Sequence, residues 1–176
     1  MTTTIDERLA EAGRRIDDLE AAVRLRGSDE RRYVRRHVEA LRQEQANAEA
    51  AARRTPDPVG ERLSRLRSRL DVAERSLQTD RARGRSDFTA AVEAELHAWD
   101  AFAERLQTTA AARTGSARDR AESGIKELRR RRLAVTERLD DLRNAPQEAC
   151  MEHQERVTAA RDELERMADD LSASLF

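Results

Sequence analysis

Glu93, His97 and Asp100 recur at steps of four and three, which on a helix sets a carboxylate, an imidazole and a second carboxylate on one face. Such an oxygen and nitrogen donor set suits a divalent cation. A carboxylate-bridged di-iron centre in a helical bundle needs more, namely glutamate three positions before histidine on two helices. None of the three histidines has glutamate three positions before it. A solvated polar face is therefore the expected role of these residues, and no metal ligand is assigned.

Cys150 and His153 stand three apart, and two such pairs brought together by a second copy would make a zinc set. The simpler reading makes Cys150 a small buried apolar residue and His153 the edge of a packing stripe. As a nucleophilic pair they lack a recognisable third group and an oxyanion hole. The six glycines are scattered, so neither a phosphate loop nor a nucleotide fingerprint is present. No catalytic residue, cofactor or small-molecule substrate is expected, and the chain reads as a non-enzyme.

Arginine is the most conspicuous chemistry. Arg129, Arg130, Arg131 and Arg132 are consecutive, and Arg31, Arg32, Arg35 and Arg36 form a second cluster. Guanidinium groups pair well with phosphate oxygens, so these eight are candidate anion contacts, to nucleic acid or an anionic membrane. Two facts weigh against that use. The chain of 34 basic and 35 acidic residues has a net charge of -1, and no aromatic stacking residues accompany the run at 129–132. Four consecutive arginines also wrap around a helix, which places Arg132 on a packing stripe. A solvated or internally paired face is the favoured reading.

These residues need elements to hold them, and the composition names the element. Alanine, glutamate, leucine and arginine supply more than half of the 176 residues, while aromatics are 3%. Apolar residues recur at steps of four and three, with no period of two, so the fold class is all-α. Thr55-Pro56-Asp57-Pro58 and Thr114-Gly115-Ser116 read as chain reversals. They divide a single domain, 1–176, into helical segments of about 3–54, 58–113 and 117–173.

Each segment has a break near its middle, near 27, 84 and 146. Read locally, the breaks end helices and give six shorter helices in an up-down bundle. Read by phase, the stripe crosses each break in 11 residues, from Val23 to Val34, Leu77 to Phe88 and Leu142 to His153. Eleven residues are about three turns, so a continuous helix would keep its stripe in register. That favours an elongated antiparallel three-helix bundle or coiled coil about 80 Å long, kinked mid-length. The alanines at 46–52 and 110–112 read as helix ends with little area to bury.

The opposing charges of the segments fit side-by-side packing. Residues 27–55 at +2 and 56–85 at +3 would lie opposite 146–176 at -5, and residues 1–26 at -1 and 86–115 at -3 opposite 116–145 at +3. One cysteine excludes an intrachain disulfide, no apolar run approaches a membrane span, and the opening residues Met1–Glu7 lack the pattern of a secretory signal. The expectation is a cytoplasmic, non-catalytic coiled-coil scaffold or adaptor acting through protein–protein contact. It would bind a protein partner or itself, as a homodimer. The alternative is a bent helical rod that binds anionic membrane or nucleic acid through its arginine clusters.

Overall fold

The structure, a computed structural model, describes residues 4–24, 28–52, 59–82 and 84–175, with side chains described outside 23–37 and 173–175. The chain is all-α. It forms α1 (Ile5–Arg24), α2 (Ser28–Ala52), α3 (Val59–Arg81), α4 (Gly84–Ala111), α5 (Gly115–Asn144) and α6 (Cys150–Leu175), with a short 3₁₀ turn at Gln147–Ala149 before α6. These helices belong to two compact units, residues 1–74 and 75–176, and α3 contributes to both.

In the first unit, α1 begins with a reciprocal cap. The Thr4 backbone N–H donates to Glu7 Oε2 at 2.7 Å, and the Glu7 N–H donates to Thr4 Oγ1 at 3.3 Å. Two orphan donors of the first turn are thereby satisfied. Leu9, Ala12, Ile16 and Leu19 of α1, Val38, Leu41 and Ala48 of α2, and Val59, Leu63, Leu66 and Leu70 of α3 are buried. Ala48 is fully buried and packs with Leu9, Val59 and Leu63, so the alanine-rich end of α2 is a close helix contact. Small side chains there let helix backbones approach.

In the second unit, α4, α5 and α6 bury the stripes Phe88, Val92, Leu96, Trp99, Ala103, Leu106; Ala121, Ile125, Leu128, Val135, Leu139, Leu142; and Val157, Leu164, Leu171. Trp99 and Phe102 meet edge to face, with ring centroids 5.8 Å apart, as the bulkiest anchor of this core. At Gly124 the Leu171 side chain of α6 packs directly onto the α5 backbone. A Cβ there would fall well inside contact distance of Leu171 Cδ1, so the absence of a side chain lets α5 and α6 come together.

Among the described residues the chain forms six helices, and the continuous helices favoured by stripe phase do not form across the second and third breaks. Thr79 Oγ1 lies 2.9 Å from Glu95 Oε2, sixteen residues on. Along an unbroken helix these positions would be about 24 Å apart. Gly84 opens α4 at φ +79°, a conformation that breaks a right-handed helix and that glycine adopts without a Cβ penalty. In the third segment, Arg131 of α5 pairs with Glu163 of α6, which a straight helix would hold about 48 Å away.

Pro146 is therefore a helix boundary rather than a kink. Lacking its usual donor, the Leu142 carbonyl accepts the Ala145 N–H at 3.3 Å, and the next turn restarts as 3₁₀, Ala149 N–H to Pro146 O at 3.1 Å. Arg85 Nη1 caps the exposed end of α5 by donating to the Ala145 carbonyl at 2.7 Å, where the helix dipole favours a cation. An 11-residue repeat of apolar positions survives a hairpin as well as a helix, which is why phase does not tell them apart. The reversal expected at Thr55–Pro58 and the break expected at Gly27 lie outside the described residues.

Candidate functional site

The chemistry of the second unit centres on a buried ionic cluster that joins the end of α3 to α4 and α6. Arg161 sits where an apolar stripe residue belongs, since Val157, Arg161, Leu164, Ala168 and Leu171 follow steps of four and three and all are buried. Its Nε donates to Glu95 Oε2 at 2.9 Å, and its Nη2 donates to Ser76 Oγ at 3.0 Å and lies 3.3 Å from Asp80 Oδ1. Glu95 takes further donors from Thr79 and, at 3.5 Å, from Trp99 Nε1. Burial pushes the Glu95 carboxyl up, while Arg161, Thr79 and Trp99 pull it partway back.

Glu95 becomes legible once a second stripe is traced beside the first: Glu95, Trp99, Phe102 and Leu106 follow helical spacing, and all four are buried. Likewise Arg65, Ser68, Ser76 and Thr79, with Val72 among them, make a mostly polar buried stripe along α3, on a different face from Leu63, Leu66 and Leu70. A helix buried on two faces needs one face that hydrogen-bonds, because uncompensated polar burial is costly. In the first unit the corresponding pair is Arg65 Nε with Glu44 Oε1 at 2.6 Å, and burial lowers Arg65 against the pull of Glu44. Arg15 bridges α1 to α3, donating to Glu74 at 2.7 Å and Asp71 at 2.6 Å; these bonds raise its pKa.

The expected site residues are distributed as follows. Glu93 pairs with Arg143, Asp100 accepts from Arg132 Nη2 at 2.8 Å, and His97 is exposed, so the two acids of that set face arginines of α5. Cys150 is a free, buried thiol, and His153 is half-buried with its Nδ1 buried and lacking a hydrogen-bond partner among the described residues. Among the described residues no group of three or more histidine, cysteine, aspartate or glutamate side chains is placed to hold a metal ion.

Arg129 to Arg132 divide their guanidinium groups among different neighbours, as expected for a run that winds around a helix. Arg129 donates to Gln107 at 2.8 Å, Arg130 and Arg131 share Glu127, and Arg132 reaches Asp100 from the stripe's edge. Glu127 is held down to about 2, first by its bond to Arg130 and then by that to Arg131. The side chains of Arg31, Arg32, Arg35 and Arg36 lie outside the described residues. None of the described helices is long and apolar enough to cross a membrane.

Each unit also carries a surface recess. A cleft of about 90 Å³ in the first unit is lined by Arg8, Arg15 and Arg67 beside Leu63 and Leu70. A wider groove of about 630 Å³ in the second runs between the end of α3, the start of α4 and α6, with Phe88 and Met151 as its large apolar lining and Asp80, Glu155 and Asp162 as its acids. Comparison of the chain with protein-family models, with curated proteins and with solved structures gives no match.

Proposed function

We propose that this protein is a non-catalytic helical scaffold or adaptor that works through protein–protein contact, with a protein partner or with itself, in the cytoplasm. The observation that carries this reading is the distribution of apolar and ionic groups in the second unit. The groups with the strongest chemistry, Arg161 and Glu95, are 5% and 2% exposed and are committed to each other and to neighbouring polar groups. What faces solvent instead is Met151, at the edge of an open groove, and Leu133, among the arginines of α5. Apolar side chains presented by a charged surface favour contact with another protein surface.

The arginine run supports the same reading over binding to nucleic acid or an anionic membrane. Arg130, Arg131 and Arg132 each already donate to a carboxylate of the same unit. A phosphate ligand would have to displace these partners. Co-sedimentation with phosphatidylserine vesicles and with duplex DNA tests this choice. At low salt neither should retain the protein; retention that disappears as salt rises would overturn the protein-contact reading in favour of the anionic one.

A further inference from the structure

We propose that the acidic groove of the second unit receives the Leu133 face of α5 from a second copy of this chain. The inference rests on the protein-contact reading above and names the partner. Among the described residues, Leu133 at 53% and Met151 at 73% are the large apolar side chains left exposed. They stand in opposite electrostatic settings. Leu133 ends a stretch, 126–133, with five basic side chains and one acidic. Met151 lies within 147–155, which holds three glutamates and neither lysine nor arginine.

The groove beside Met151 continues that negative field. Asp80, Glu155 and Asp162 line it with no basic residue among its described lining. On the complementary surface, Glu127, Glu163 and Asp100 together answer only part of the five-cation α5 cluster. Lys126 and Arg130 are exposed, and Leu133 follows Arg130 by three positions and Arg129 by four, on the same helical face.

An apolar knob ringed by cations matches an apolar floor ringed by acids, and burial of Leu133 against Phe88 and Met151 would remove both exposed apolar side chains at once. Each copy carries both surfaces, so two copies can make the contact twice.

The test is the mass of the full chain by light scattering and sedimentation equilibrium, from about 1 to about 300 µM. Wild type should self-associate as concentration rises. Lys126→Glu/Arg130→Glu on the knob, and Gln154→Arg/Glu155→Arg on the groove, should each weaken association at least tenfold. Mixing the two variants should restore the complex, because the swapped charges match at one contact and the native charges at the other. Leu133→Ser and Met151→Gln provide a second, uncharged pair of variants, with circular dichroism checking that all remain helical.

A wild-type monomer across the range, association indifferent to both charge pairs, or variants that stay apart when mixed would each overturn the second-copy contact. A monomer that also ignores vesicles and DNA would leave the protein-contact reading standing, whereas salt-sensitive binding to vesicles or DNA would remove that reading itself.

Discussion

Arg161 of α6 and Glu95 of α4 meet inside the second unit, guanidinium Nε to carboxylate Oε2 at 2.9 Å, with side chains 5% and 3% exposed. Sixty-six residues separate them in sequence. Ser76 and Thr79, one turn apart on α3, complete the cluster from a third helix. A leucine pair would pack the same three helices together, but it would tolerate sliding. A bidentate cation with named acceptors on two other helices fixes the register, because a displacement of one turn would leave a buried charge unpaired.

Removing one partner should therefore be far worse than removing both. Arg161→Met is expected to cost about 3–5 kcal/mol, since it leaves Glu95 buried without its cation. Glu95→Leu/Arg161→Met should recover most of that loss. Urea unfolding of the two single variants and the double variant measures the coupling. Additive losses would show that the pair does not act as a unit.

The stripes are legible in the sequence and the topology is not. Steps of four and three place Leu9, Ile16, Leu41, Leu63, Trp99, Val135 and Val157 in the core, and all are buried. In α6 the spacing predicts a stripe of Cys150, His153, Val157, Ala160, Leu164, Met167 and Leu171, and the structure is offset from it by one at two places. Ala160 and Met167 are half-buried, while Arg161 and Ala168 are the buried positions, because an arginine in a core stripe is recognisable only once its acid is found on another helix. Whether a helix continues or reverses depends on a few residues with unusual backbone angles, and a periodic pattern averages over them.

Gly84 decides between those two topologies by experiment. In the interior of a continuous helix, Gly84→Ala would stabilise by up to about 1 kcal/mol. At its observed φ of +79°, with nothing within 4 Å of the place a Cβ would occupy, the substitution meets no steric obstacle but forces an L-residue into the left-handed region. The expected result is a loss of about 1–2 kcal/mol, read as a lower melting temperature.

Glu165 gives the fold a pH dependence. It is 5% exposed, and burial, with the charge of Asp169 behind it, raises its pKa well above the ordinary 4.5. A carboxyl whose folded pKa is raised contributes stability that is fully present below the unfolded value. That contribution is lost as pH rises through the folded value. Glu165→Gln cannot ionise, so it should be more stable than wild type at pH 7.5, by about 1 kcal/mol or more. The advantage should vanish below about pH 4.5. Melting curves at the two pH values check this, and an equal shift at both would mean that the effect is not ionisation.

Glu127 should behave in the opposite sense, and at the surface. Arg130 donates to it through Nε and Nη2, both at 2.7 Å, and Arg131 Nε donates at 2.8 Å, which holds the carboxylate down to about 2. A carboxyl lowered in this way favours the folded state above its unfolded pKa and loses that contribution as pH falls through the folded one. The side-chain carboxyl resonance of Glu127 should therefore still be that of the ionised form at pH 3, where ordinary glutamates are protonated. Arg130→Gln removes the largest of the causes and should move the midpoint up toward 4.5. Arg131→Gln should move it less. If neither substitution moves it, then Glu127 is not the acceptor that ties Arg130 and Arg131 together.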